Sequence, residues 1–147
     1  MRTPTRALAL PALAALLVGA LGAVAVAQSE HFDDRAVMIA VWLGIAAAWI
    51  GTGLYAGYKR PHKRVGPLMT WTGFAWLLTL FVASNSPAIF TAAVITSNLY
   101  LAAFVHLLLT YPDGPRCRLH VRLVQLTYAF VLLAPIPLLL SGGQFDT

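Results

Sequence analysis

Residues 36–64 read AVMIAVWLGIAAAWIGTGLYAGYKRPHKR. No charge falls between 36 and 58, and then Lys59, Arg60, Lys63 and Arg64 arrive together. A helix of that uncharged length rises about 35 Å, enough to cross a hydrocarbon core of about 30 Å. The cations that follow mark the side on which it ends, because Lys and Arg are retained on the cytoplasmic face of a membrane.

The same pattern repeats outward in both directions. Nine of the 10 Lys and Arg residues lie in three clusters: Arg2/Arg6, the 59–64 group, and Arg116/Arg118/Arg122. Between the first two clusters sits an acidic patch, Glu30-His31-Phe32-Asp33-Asp34. Apolar segments are predicted at about 7–27, 36–58, 65–83, 88–111 and 121–140, each long enough to span as a helix. Loop charge then alternates: basic at the N-terminus, acidic at 28–35, basic at 59–64, uncharged at 84–87, basic at 111–122. The expected fold is all-α, a polytopic bundle of about five transmembrane helices forming a single module over 1–147. The N-terminus is expected inside and the C-terminus outside, in the cytoplasmic (inner) membrane of a bacterium.

Composition excludes most soluble classes. Charged residues make up 10% of the chain, hydrophobic residues 59%, and mean hydropathy is +0.76. Soluble domains carry roughly 25% charged residues. The net charge of +5 resides in membrane-flanking loops, so it does not point to nucleic acid. The single cysteine, Cys117, excludes an internal disulfide and cannot by itself make a metal site.

The first segment admits two readings. Its basic start, apolar run and Ala25-Val26-Ala27 before Gln28 match a cleavable signal peptide. Its length exceeds the usual apolar region of such peptides, and Ala15, Gly19, Ala23 and Ala27 recur at every fourth position as in packed membrane helices. A retained helix is the favoured reading. In the second segment Gly53 and Gly57 form a GxxxG expected to bring two backbones close, with Ala40, Gly44 and Ala48 continuing the small-residue spacing. Pro135 and Pro137 are expected to kink the fifth segment.

Chemistry-bearing residues are sparse. There is no Gly-rich phosphate loop, no Cys/His/acid set at metal-ligand spacing, and no acidic residue inside a predicted span. Catalytic residues, cofactor and metal are all expected to be none. His106 is the one ionisable side chain of Lys, Arg, His, Asp or Glu type within a span. With Thr91, Asn98, Ala102 and Thr110 it forms a stripe on one helical face, predicted to turn toward other helices, with Asn98 and His106 making an interhelical hydrogen bond. His31, His62 and His120 lie outside the spans, which leaves His106 without a second imidazole for haem.

Two stretches resemble a known family. Lys59-Arg60-Pro61-His62-Lys63-Arg64-Val65-Gly66-Pro67-Leu68 joins two helices, and His106-Leu107-Leu108-Leu109-Thr110-Tyr111-Pro112-Asp113-Gly114 ends another. Together they are similar to turn motifs in the N-terminal membrane region of actinobacterial-type two-component sensor histidine kinases, a resemblance covering most of 36–140. Lys63 departs from the family pattern, where Asn is common. Read as physics, both motifs are connectors: Pro61 stops a helix, and Pro112-Asp113-Gly114-Pro115 is turn chemistry. The resemblance implies a sensory input module, whose full-length protein would be an ATP-dependent histidine kinase, a homodimer acting on a response regulator. Membrane lipid is the one partner of this region itself. Because the tail is expected outside, an odd number of further crossings would have to precede a cytoplasmic kinase, and the chain reads as a fragment. Two alternatives stay open: a small standalone membrane protein (a transporter subunit or a ligand-binding protein), or the same input region joined to another output such as a nucleotide cyclase.

Overall fold

The computed structural model describes residues 4–29, 34–60, 63–111 and 118–140, and every regular element among them is helical. The elements are α1 (Pro4–Ala27), α2 (Arg35–Lys59), α3 (Val65–Leu77) continued by a 3-10 segment (Leu78–Ala83), α4 (Pro87–Thr96), α5 (Leu99–Thr110), α6 (Arg118–Leu133) and α7 (Ile136–Leu140). Four stretches, Ala9–Ala27, Arg35–Lys59, Val65–Ala83 and Pro87–Thr110, are long and apolar enough to cross a membrane. The fifth segment is divided, because α6 ends at Leu133 and the chain turns at Ala134-Pro135 before α7. The expected kink is thus a full stop: Pro135 has no N–H to continue the ladder, and Pro137 follows in the next turn.

The molecule is apolar on its outside. Leu10, Leu16, Leu17, Leu126 and Phe130 are each more than 60% exposed. A soluble protein could not carry such a surface, whereas hydrocarbon solvates it at no cost. Buried positions are mostly small, and the principal core comprises Val26, Ala46, Ile50, Leu77, Leu80 and Ala83. The fold defines a multi-pass membrane protein.

α3 is central. Its longest interface is with α2 and its next with α5, while α6 packs on α5 and α4 at the periphery. The α2–α3 approach is set by glycine. A Cβ on Gly53 would meet the Thr70 backbone nitrogen at 2.5 Å, one on Gly66 the Gly57 nitrogen at 2.5 Å, and one on Gly73 the Ile50 side chain at 2.5 Å. Gly53 is therefore packed under α3, while Gly57 offers its backbone to Gly66 and leaves its own Cβ position open. Gly44 has no neighbour within 4 Å of such a Cβ, and Ala40 and Ala48 are exposed, so the expected extension of the stripe up α2 points outward.

α1 packs on α2 and on the 3-10 segment. Its contact face is Ala15, Gly19, Gly22 and Val26 rather than the expected Ala15, Gly19, Ala23 and Ala27, and Gly22 lies against Leu80. The reason is helical pitch. At 100° per residue a strict four-residue spacing drifts by about 40° each step, whereas alternating steps of four and three hold one face.

The fourth segment is also divided. Thr96 Oγ1 donates to the Ala92 carbonyl at 2.8 Å and Ser97 Oγ to that of Val94 at 2.8 Å. Consecutive hydroxyls bonded back into their own helix compete with the ladder, and the chain turns at Ser97-Asn98 before α5 begins. The continuous helix expected over 88–111 is two helices.

Candidate functional site

Two groups of side chains stand out against the apolar background. The first is an aromatic column through the interior. Trp42 Nε1 on α2 donates to Thr79 Oγ1 at 2.8 Å, and Trp76 Nε1 on α3 donates to the Trp42 carbonyl at 3.2 Å. The two indole rings lie 5.6 Å apart, and Trp76 meets Tyr100 of α5 edge-on at 4.9 Å. Trp42, Trp49 and Trp76 are half-buried between helices. An indole N–H facing hydrocarbon would have no acceptor, so Trp42 and Trp76 turn inward to oxygen, while Trp49 meets Phe104 edge-on at 5.8 Å. Tyr55, Tyr58 and Tyr111 do lie exposed at one end, as interface anchors would.

His106 forms a separate aromatic contact. It is half-buried on α5, with its ring edge-on to Tyr128 of α6 at 6.0 Å. Thr110 Oγ1 donates to the His106 carbonyl, keeping that hydroxyl within its own helix. Asn98 sits at the α4–α5 turn, exposed, and its side chain makes no capping bond. The stripe is therefore split: Thr91 and Asn98 are exposed, while Ala102 and Thr110 are buried. The turn at 97–98 changes the helical phase that the stripe assumed. His106 touches a ring on α6, and no bond joins it to Asn98.

The second group is at one end of the bundle. α2 stops at Lys59, and Arg60 leaves the helix at φ −137°, ψ 69° with its N–H on the Ala56 carbonyl at 2.9 Å. A residue before proline is pushed away from helix, which is why the stop falls just ahead of Pro61. Tyr111 is extended before Pro112 for the same reason. Close packing of Gly66 on Gly57 draws the α2 and α3 ends together, and Tyr111 closes the third side. The result is a cleft of about 540 Å³ lined by Tyr55, Ala56, Lys59, Arg60, Lys63, Val65, Gly66 and Tyr111. Lys59 Nζ lies 5.9 Å from the Tyr55 ring centre. Arg64 is exposed beside it. Pro61, Pro112, Asp113 and Gly114 lie outside the described residues.

At the opposite end Asn85 Nδ2 donates to the Gln28 carbonyl at 3.1 Å and Arg35 Nη1 to that of Ala27 at 3.1 Å. The loops after α1 and after the 3-10 segment are thereby joined, and the basic loop lies at the other end of the helices. His120 at the start of α6 has a buried Nδ1 with no hydrogen-bond partner. Among the described residues no three of His, Cys, Asp and Glu converge as metal ligands.

The cleft draws on both turn motifs: the Gly57–Gly66 contact closes the α2 and α3 ends, and the packing of α5 on α3 brings Tyr111 beside them. The chain matches no protein-family model, no curated protein and no solved structure.

Proposed function

We propose that this chain is the membrane-embedded input region of a two-component sensor histidine kinase, oriented with its basic loops in the cytoplasm. The observation that supports the reading is the meeting of the two motifs that carry the family resemblance. Lys59, Arg60, Lys63 and Gly66 from the first line one cleft with Tyr111 from the second. An input region must couple its helices at the face where output begins, and a shared cleft at helix ends does so. His106 against Tyr128, at a periphery where α6 has few neighbours, offers a second joint between α5 and α6.

The gene sequence beyond Thr147 is the shortest test. The reading expects an odd number of further crossings and then a dimerisation helix with a phospho-acceptor histidine and an ATP-binding domain. A stop codon directly after Thr147 sinks it in favour of a standalone membrane protein. In the full-length protein, His106→Leu, which removes the ring packed on Tyr128, is expected to change basal autophosphorylation while membrane insertion persists. Wild-type output would remove His106 from the switch.

A further inference from the structure

We propose that the cleft between the ends of α2, α3 and α5 binds the phosphate-bearing headgroup of an anionic membrane phospholipid. The inference does not depend on the kinase reading, only on the helices crossing a membrane.

The placement comes first. α2 ends at Lys59, α3 begins at Val65 and α5 ends at Thr110, so the cleft opens where the apolar spans stop. That is the level of lipid phosphates. Its size, about 540 Å³, is in the range of small-ligand sites. The lining is graded as a headgroup requires. Lys59, Arg60 and Lys63 supply positive charge, Tyr55 and Tyr111 supply hydroxyls on apolar rings, and Val65 supplies the apolar floor. Both tyrosines are about two-thirds exposed, at 65% and 66%, and so are accessible from the membrane surface. Gly66 contributes no side chain, and the Gly57 contact leaves no room for one.

Charge at this end is unbalanced. Among the described residues six Lys and Arg lie here, at 59, 60, 63, 64, 118 and 122, and none of the described residues between 59 and 122 is acidic. Asp34, the one carboxylate among the described residues, is at the far end of α2. Basic pockets between helix ends are suited to anionic headgroups, and each cation near the surface contributes roughly fivefold in binding. A zwitterionic headgroup, whose own cation would enter the same field, is disfavoured.

The test uses the full chain in phosphatidylcholine nanodiscs containing graded phosphatidylglycerol, with retained lipid read by native mass spectrometry. Wild type is expected to prefer phosphatidylglycerol by at least about fivefold. Lys59→Gln/Arg60→Gln should abolish the preference, and Arg118→Gln/Arg122→Gln, with equal loss of charge, should keep it. Tyr111→Ala, which leaves every charge in place, should lower it, so the proposal stays testable if the double variant does not reconstitute. No preference in wild type overturns the proposal. So does equal loss in both double variants, which would mean a diffuse field, or an unchanged preference in Tyr111→Ala. If 10 mM inorganic phosphate removes the preference, the site takes a soluble anion and the lipid assignment fails.

Discussion

Glycine decides which residues of this molecule tolerate change, and the two glycines of one motif differ. A methyl at 53 meets backbone, where nothing can yield, while a methyl at 57 enters open space. Gly53→Ala, Gly66→Ala and Gly73→Ala are expected to destabilise the fold by about 1–3 kcal/mol each through overpacking. Gly57→Ala should be neutral or gain up to about 1 kcal/mol of helix propensity. Thermal unfolding in detergent measures all four, and equal loss at 53 and 57 would contradict the packing described. The Trp42–Thr79 bond is the other residue-scale test. A double-mutant cycle with Trp42→Phe and Thr79→Val is expected to give a coupling near 0.6 kcal/mol and below about 2 kcal/mol. A coupling of zero would mean the indole finds another acceptor.

At the scale of elements, the α4–α5 turn is held by hydroxyls rather than by proline. Thr96→Ala and Ser97→Ala with Asn98→Leu remove both competing hydroxyls and a poor helix former. The variant is expected to join α4 to α5, and amide exchange over 97–101 should slow relative to wild type. Unchanged exchange would place the cause of the turn in packing. This turn also shows where sequence reading stops. The spans at 65–83 and 36–58 were legible because charge and length are local properties. The divided fourth segment was not, since Thr96, Ser97 and Asn98 are each acceptable in a helix and only act against it together. The α1 face at Gly22 and Val26 was visible in principle, had the spacing been followed at 3.6 residues rather than four. The basic cleft required knowing both that Gly66 would sit on Gly57 and that α5 would pack on α3, which no single motif reports. The favoured retention of α1 is tested by sequencing the mature N-terminus. A start at Gln28 would leave Leu80 without its Gly22 neighbour.

For the whole molecule, the loop charges give a definite expectation of orientation. In a Cys117→Ser background, a cysteine at position 62 should resist an impermeant thiol reagent on intact cells, and one at position 85 should react. The reverse pattern would invert the bundle and move the basic cleft to the outer leaflet.

The 3-10 segment Leu78–Ala83 sets the length of the central span. Six residues rise about 12 Å in 3-10 geometry against about 9 Å in an α-helix. With the 13 residues of α3, the span reaches about 31 Å, where a uniform α-helix would reach about 28 Å. The tighter coil thus matches a short segment to the thickness of the bilayer, and its conversion to α-helix would be a response to thinning. Spin labels at 64 and 84 are expected to approach by about 3 Å when long-chain lipids are exchanged for short-chain ones. A fixed distance would show that Leu80 and Ala83 pin the coil, and that the surrounding bilayer deforms to fit it instead.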